Sequence, residues 1–166
     1  MPETMSPSRS LAMAAALFAA GFSLPAVAQS QFELSAGPSW TRDNESTAVI
    51  AAAWMPTFRP ITNATLRWEI GVLHVRGRDD TRYDLADDVT VGHVGMRYER
   101  TDNGLTLGFG VGAQSGHTDA LSGDPQFIST AGWRWDRFSL LARHISNASI
   151  HQPNDGETML VAAWRF

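Results

Sequence analysis

No cysteine occurs anywhere in the 166 residues. A disulfide framework and every thiolate metal site are thereby excluded, and fold and chemistry are left to packing and to oxygen and nitrogen groups. Cationic excess is missing too: 13 Lys+Arg against 17 Asp+Glu give a formal charge of -4, so there is no electrostatic case for nucleic acid. His74, His93, His117 and His151 show no H-E-x-x-H spacing and read as strand or loop residues; no metal and no cofactor is expected. The one long apolar run, "LAMAAALFAAGFSL" behind Arg9, falls short of the roughly 20 apolar residues of a transmembrane helix. With "AVA" at Ala26 to Ala28 it reads as a secretory signal peptide over residues 1–28, cleaved before Gln29.

What remains, residues 29–166, lacks a period of 3.6 but repeats a period of two between turn signals. Eight strands are expected: Phe32 to Trp40, Thr47 to Met55, Thr65 to Arg76, Val89 to Arg100, Leu105 to Gln114, Gln126 to Asp136, Phe138 to Asn147 and Thr158 to Phe166. Each has about the length of a tilted membrane-crossing strand. In the fifth, Leu105, Leu107, Phe109, Val111 and Ala113 share one face, and Thr106, Gly108, Gly110, Gly112 and Gln114 the other. A small polar face and an apolar face with aromatics at strand ends (Trp40, Trp133, Trp135, Trp164, Phe166) form the inside-out pattern of a membrane barrel. The fold expected is all-β, an eight-stranded antiparallel transmembrane β-barrel of the bacterial outer membrane.

Connection lengths agree. "TDNG" and "DR" are tight turns on one side, with "PTFRPITNA" a longer connection there, while "TRDNES", "GRDDTRYDLADD", residues 115–125 and "ASIHQPNDGE" are longer polar loops on the other. Short periplasmic turns and long external loops are the usual asymmetry of such barrels. The ending Leu160, Ala162, Trp164, Phe166 resembles the C-terminal signal read by the barrel-assembly machinery. Inward parity on their strands is shared by Arg143 and Asn147 and by Arg67 and Glu69, and buried charges need partners, so an internal network of Arg143, Arg67, Glu69 and Glu33 is expected.

The chemistry concentrates in "RHISNASIHQPNDGET", residues 143–158. His144 and Ser146 continue the outward parity of Phe138, Leu140 and Ala142. A histidine and a serine turned toward hydrocarbon are costly without a purpose. Placed at the outer end of the strand, they lie at the headgroup level, where a histidine can activate a serine against a lipid ester. Glu157 across the hairpin is the nearest carboxylate to orient the histidine. Backbone N–H groups of Asn147, Ala148 and Ser149 and the amide of Asn154 can serve an oxyanion.

The same run resembles the active-site segment of the lipid A 3-O-deacylase family, outer-membrane barrels that pair H-x-S-N with a following Asn-Pro or Asn-Asp-Gly turn and a glutamate. That resemblance implies His144 as general base, Ser146 as nucleophile, Glu157 as orienting acid and Asn154, with Asn147, as support for the oxyanion. It also implies hydrolysis of the ester-linked 3-hydroxyacyl chain at position 3 of lipid A in the outer leaflet, without metal or cofactor. In the family pattern the glutamate lies one residue further from the turn than Glu157 does here, which puts Glu157 out of phase with the outward face of its strand; either a bulge or the loose strand end turns it outward, or Thr158 occupies the expected place. The partners implied are lipid A of lipopolysaccharide, outer-membrane lipid and the barrel-assembly machinery; the oligomeric state is left open, a homodimer included. The alternatives are a non-enzymatic small barrel and a phospholipase.

Overall fold

Alternation of period two becomes nine strands in the computed structural model, which describes residues 30–80 and 82–166. The expected signal peptide lies outside the described residues. The strands are β1 (Gln31–Trp40), β2 (Ser46–Met55), β3 (Thr57–Ile61), β4 (Ala64–Val75), β5 (Val89–Arg100), β6 (Leu105–Ser115), β7 (Gln126–Trp135), β8 (Phe138–Ser146) and β9 (Glu157–Arg165). Each pairs antiparallel with its neighbours; β1 joins both β2 and β9, and β2 also joins β4, so the sheet closes. Closure leaves no unpaired edge, as a lipid environment requires.

β2 and β3 act as one strand broken at Pro56, giving the expected eight-stranded barrel. Here the expectation of a long connection in "PTFRPITNA" is corrected. Pro56 has no N–H to donate, but its carbonyl still accepts from Trp68 N at 3.0 Å, and the chain resumes pairing from Thr57 to Ile61. The true turn is Thr62-Asn63, with Asn63 at φ 56°. All three turns at this end are therefore tight.

The outward face is apolar: Leu34, Ile50, Ile70, Val72, Val94, Leu107, Phe109, Leu140 and Leu160 are all exposed. At the tight-turn end Phe32, Trp133, Trp135, Trp164 and Phe166 form an aromatic girdle. Trp135 stacks on Phe138 at 6.1 Å, and Phe58 meets Trp68 edge-on at 5.5 Å. Aromatic rings of this kind belong where hydrocarbon meets headgroups.

The inside divides into two zones. Toward the tight-turn end it is ionic. Arg97, fully buried, donates to Glu33 at 2.6 Å and forks onto Glu69 at 2.6 and 3.0 Å. Arg165 bridges Glu33 at 2.9 Å and Glu99 at 2.6 Å; Arg67 reaches Glu99 at 3.1 Å; Arg143 reaches Glu69 at 3.0 Å and Thr130 at 3.2 Å. The four predicted members are thus joined by Arg97, Glu99 and Arg165. Every cationic side chain other than histidine is arginine, whose planar fork suits carboxylates shared among several donors. Toward the long-loop end the inside is apolar, with Leu73, Val75, Val89, Val91, Leu141, Ile145 and Met159 packed together and Leu85 and Leu121 of the loops folded down onto them. A small polar interior was expected throughout. The dry plug instead gives the long-loop end a rigid base.

Candidate active site

β8 carries its side chains alternately, so Leu141, Arg143, Ile145 and Asn147 are buried while Leu140, Ala142 and His144 are exposed and Ser146 is half-buried at the outward mouth. On β7, Phe127 lies opposite Ser146 and Ser129 opposite His144; on β9, Thr158 lies opposite His144. An outward row of Ser129, His144 and Thr158 therefore interrupts the apolar belt just below the loops. Thr158 stands where the sequence offered it as the alternative to Glu157; Ser129 was not singled out, though it follows from outward parity once the cross-strand register is known.

The imidazole has a defined setting. His144 Nδ1 lies 3.0 Å from Thr158 Oγ1, so an Nδ1–H donating to that hydroxyl leaves Nε2 free to accept a proton. The ring leans over Gly156, where an added Cβ would stand 2.9 Å from His144 Cε1 and 3.2 Å from Nε2. One step beyond the last paired residues, Ile145 and Glu157, Gly156 faces Ser146. Among the described residues no hydrogen bond joins the ring to Ser146, which shares its outward face. Gly156 is required twice over, by its contact with the ring and by its φ of +69°.

His74 supplies an internal comparison. It also faces outward and also meets a cross-strand threonine, Nδ1 to Thr90 Oγ1 at 2.9 Å, with Asp88 3.4 Å from Nε2. Two residues on, however, stands Arg76, not a serine. Of these two histidines, His144 has a hydroxyl nucleophile two residues on along its own strand face.

The structure corrects the placement of Glu157. The register His144 opposite Thr158 and Ile145 opposite Glu157 is unbroken, with no bulge to turn the glutamate outward. Its carboxylate points into the barrel and is buried, accepting from Arg78 Nη2 at 2.7 Å and from Ser39 Oγ. Thr158 stands where an orienting group meets His144.

After Ser146 the chain turns sharply. Ile150 N donates to Asn147 O at 3.1 Å, and both central residues, Ala148 at φ 53° and Ser149 at φ 64°, occupy the left-handed region. That conformation normally falls to Gly, Asn or Asp, and its use by Ala and Ser stores backbone strain of the kind found at functional sites. Among the described residues, neither the Ala148 nor the Ser149 N–H has an acceptor. Of the two expected supporting asparagines, Asn147 is buried, its amide donating to Ser122 Oγ and His151 O at 3.1 and 3.2 Å. Its backbone N–H donates to Asn154 Oδ1 at 3.3 Å. The two are therefore brought together, and the bond directs the Asn154 amide nitrogen away from Asn147.

The loops hold this arrangement from above. Gly156 N donates to Ala120 O at 3.0 Å, and His151 Nε2 lies 2.9 Å from Asp124 O, tying residues 147–156 to residues 116–125. Residues 116–125 in turn join 76–88 through Asp119 N to Asp84 O at 2.8 Å and Asp84 N to Asp119 Oδ2 at 2.9 Å. Within 76–88, the backbone N–H groups of Arg82 and Tyr83 hold the Asp80 carboxyl below its ordinary range, and a hydrogen bond to Asp43 pushes the Tyr83 phenol up. Among the described residues no group of three or more His, Asp or Glu is arranged to hold a metal ion. An apolar groove of about 610 Å³ on β1, β2, β4, β8 and β9, bordered by Leu34, Ile50 and Trp164, is lined by His74 but by neither His144 nor Ser146.

Residues 50–166 match the family described as lipid A 3-O-deacylase (PagL). Among solved structures, the barrel is similar to the outer membrane enzyme PagL, at 20% identity and a TM-score of 0.53 over 81% of this chain and 98% of that one. It is similar as well to Ail, the attachment invasion locus protein of Yersinia pestis, at 13% identity and a TM-score of 0.51 over 83% and 99% of the two chains. These structural likenesses establish the fold. No curated protein matches the sequence.

Proposed function

The chain belongs to the lipid A 3-O-deacylase (PagL) family, and from that premise we propose that Ser146 and His144 are the nucleophile and base of a serine esterase facing the outer leaflet. It is a carboxylic ester hydrolase of the Gram-negative outer membrane acting on lipid A. The finer reading concerns which bond is cut and by which atoms.

The observation that carries it is the setting of the imidazole, with Nδ1 held by Thr158 Oγ1 and the ring leaning over Gly156, on the same outward strand face as Ser146. Ser146 Oγ attacks the carbonyl carbon of the 3-hydroxyacyl ester at position 3, and its proton passes to His144 Nε2. The developing oxyanion is met by the unused N–H groups of Ala148 and Ser149 and by the Asn154 amide. Collapse breaks the bond to the position-3 oxygen, which takes the proton from His144 and leaves as the alcohol. Water then gives a proton to His144 and attacks the acyl-Ser146 ester; the 3-hydroxy fatty acid departs and Ser146 recovers its proton. The apolar belt around the site, with Phe127 stacked on Phe109 at 6.3 Å, keeps the acyl chain in hydrocarbon throughout.

A fluorophosphonate probe tests the nucleophile directly. Peptide mapping of the labelled barrel is expected to find the adduct on Ser146, with labelling abolished in His144→Ala. An adduct on Ser129, or equal labelling without His144, would overturn the assignment.

A further inference from the structure

We infer that this esterase works without an orienting carboxylate, and that Thr158 is the positioning residue that sets the tautomer of His144. The inference rests on the proposed Ser146–His144 reading and goes beyond it in naming what holds the base.

Three observations on separate elements carry it. On β9 the hydroxyl of Thr158 is 3.0 Å from His144 Nδ1, and the ladder places the two residues directly opposite each other. Inside the barrel the one glutamate near the site is committed elsewhere: Glu157 is fixed by Arg78 and by Ser39, and the wall of the barrel separates its side chain from the imidazole. On β8's other side, the residue opposite His144 is Ser129, again a neutral hydroxyl. Among the described residues His144 has no ion pair, whereas His74 on β4, with the same cross-strand threonine, has Asp88 beside its other nitrogen. Both histidines therefore meet a threonine hydroxyl, but a carboxylate accompanies only the one that has no serine.

The chemical consequence is specific. A hydroxyl accepting from Nδ1–H selects the tautomer with a free Nε2, but it adds no negative charge to stabilise the imidazolium formed when Ser146 gives up its proton. Its contribution is that of one neutral hydrogen bond, about a tenfold effect on rate. A carboxylate in the same place would raise the imidazole's affinity for its proton and strengthen it as a base.

The test uses the full barrel refolded in detergent with lipid A as substrate, each variant first checked for heat-modifiable migration. Thr158→Val removes the hydroxyl at nearly constant shape and is expected to lower kcat about tenfold with KM unchanged, while Thr158→Ser retains the wild-type rate. Thr158→Glu is expected to move the acidic limb of the pH–rate profile to higher pH by about one unit or more and to raise the plateau rate. Glu157→Gln is expected to leave that limb where it is. Full activity with an unchanged pH profile in Thr158→Val would overturn the inference, as would a displaced limb in Glu157→Gln with Thr158 intact. Undiminished hydrolysis in Ser146→Ala is a different result, because it would remove the serine reading itself.

Discussion

Arg78, from the loop between β4 and β5, reaches into the barrel mouth and pairs with Glu157 at 2.7 Å. The guanidinium is 11% exposed and the carboxylate 2%. The contact fastens the longest external loop to the first residue of the strand that carries Thr158, so it fixes the site's frame without entering its chemistry. Arg78→Ala would leave Glu157 buried without its counter-ion, a change that typically costs about 3 to 5 kcal/mol. The expected outcome is a large drop in unfolding midpoint in urea with detergent, with kcat at permissive temperature within a few-fold of wild type. A kcat loss as large as that of Ser146→Ala in a folded barrel would place the pair in the mechanism.

Gly156→Ala is the sharpest local perturbation available. The new Cβ would lie 2.9 Å from both His144 Cε1 and Ile145 O, at a φ of +69° that alanine tolerates poorly. Displacing the ring disturbs its bond to Thr158 Oγ1. Hydrolysis is expected to fall at least a hundredfold, about the scale of general-base catalysis, while heat-modifiability persists. A matching loss of fold and activity would instead assign Gly156 to the turn alone.

Arg97 sits at the centre of the ionic zone, paired with both Glu33 and Glu69. Truncating it to alanine leaves Glu33 to Arg165 and Glu69 to Arg143 and removes a buried counter-ion from both, and a destabilisation of about 3 to 5 kcal/mol or failure to refold is expected. Arg97→Met together with Glu69→Gln should cost clearly less than the single change, because the charge is removed with its partner. Equal losses in the single and double variants, measured by urea unfolding, would show that packing and not charge compensation dominates there.

The outward histidine and serine were legible because period-two alternation runs unbroken from Phe138 to Ser146, and the barrel class was legible because that alternation recurs with the apolar face outward. The ionic hub was harder to see. Arg97 and Glu99 lie in a strand whose two faces are both mixed, and Arg165 precedes a terminal signal that draws attention to Trp164 and Phe166. Pro56 looked like the end of a strand because it cannot donate, yet its carbonyl keeps the ladder in place. The choice between Glu157 and Thr158 was left open for one reason. Which of two adjacent residues meets His144 depends on cross-strand register, and that is set by a loop of irregular backbone between residues 147 and 156 whose length pattern does not declare how it folds. The ties of that loop to residues 116–125 join distant segments through main-chain carbonyls, which leave no mark on residue type.

The most direct measurement is mass spectrometry of lipid A from Gram-negative cells that lack such an activity, expressing wild type or Ser146→Ala at equal outer-membrane levels. Loss of one 3-hydroxyacyl group from position 3 with the wild type, and intact lipid A with the variant, is the predicted result. Deacylation by both proteins would contradict the assignment of Ser146, and intact lipid A with both folded barrels would contradict lipid A as the ester that is cut.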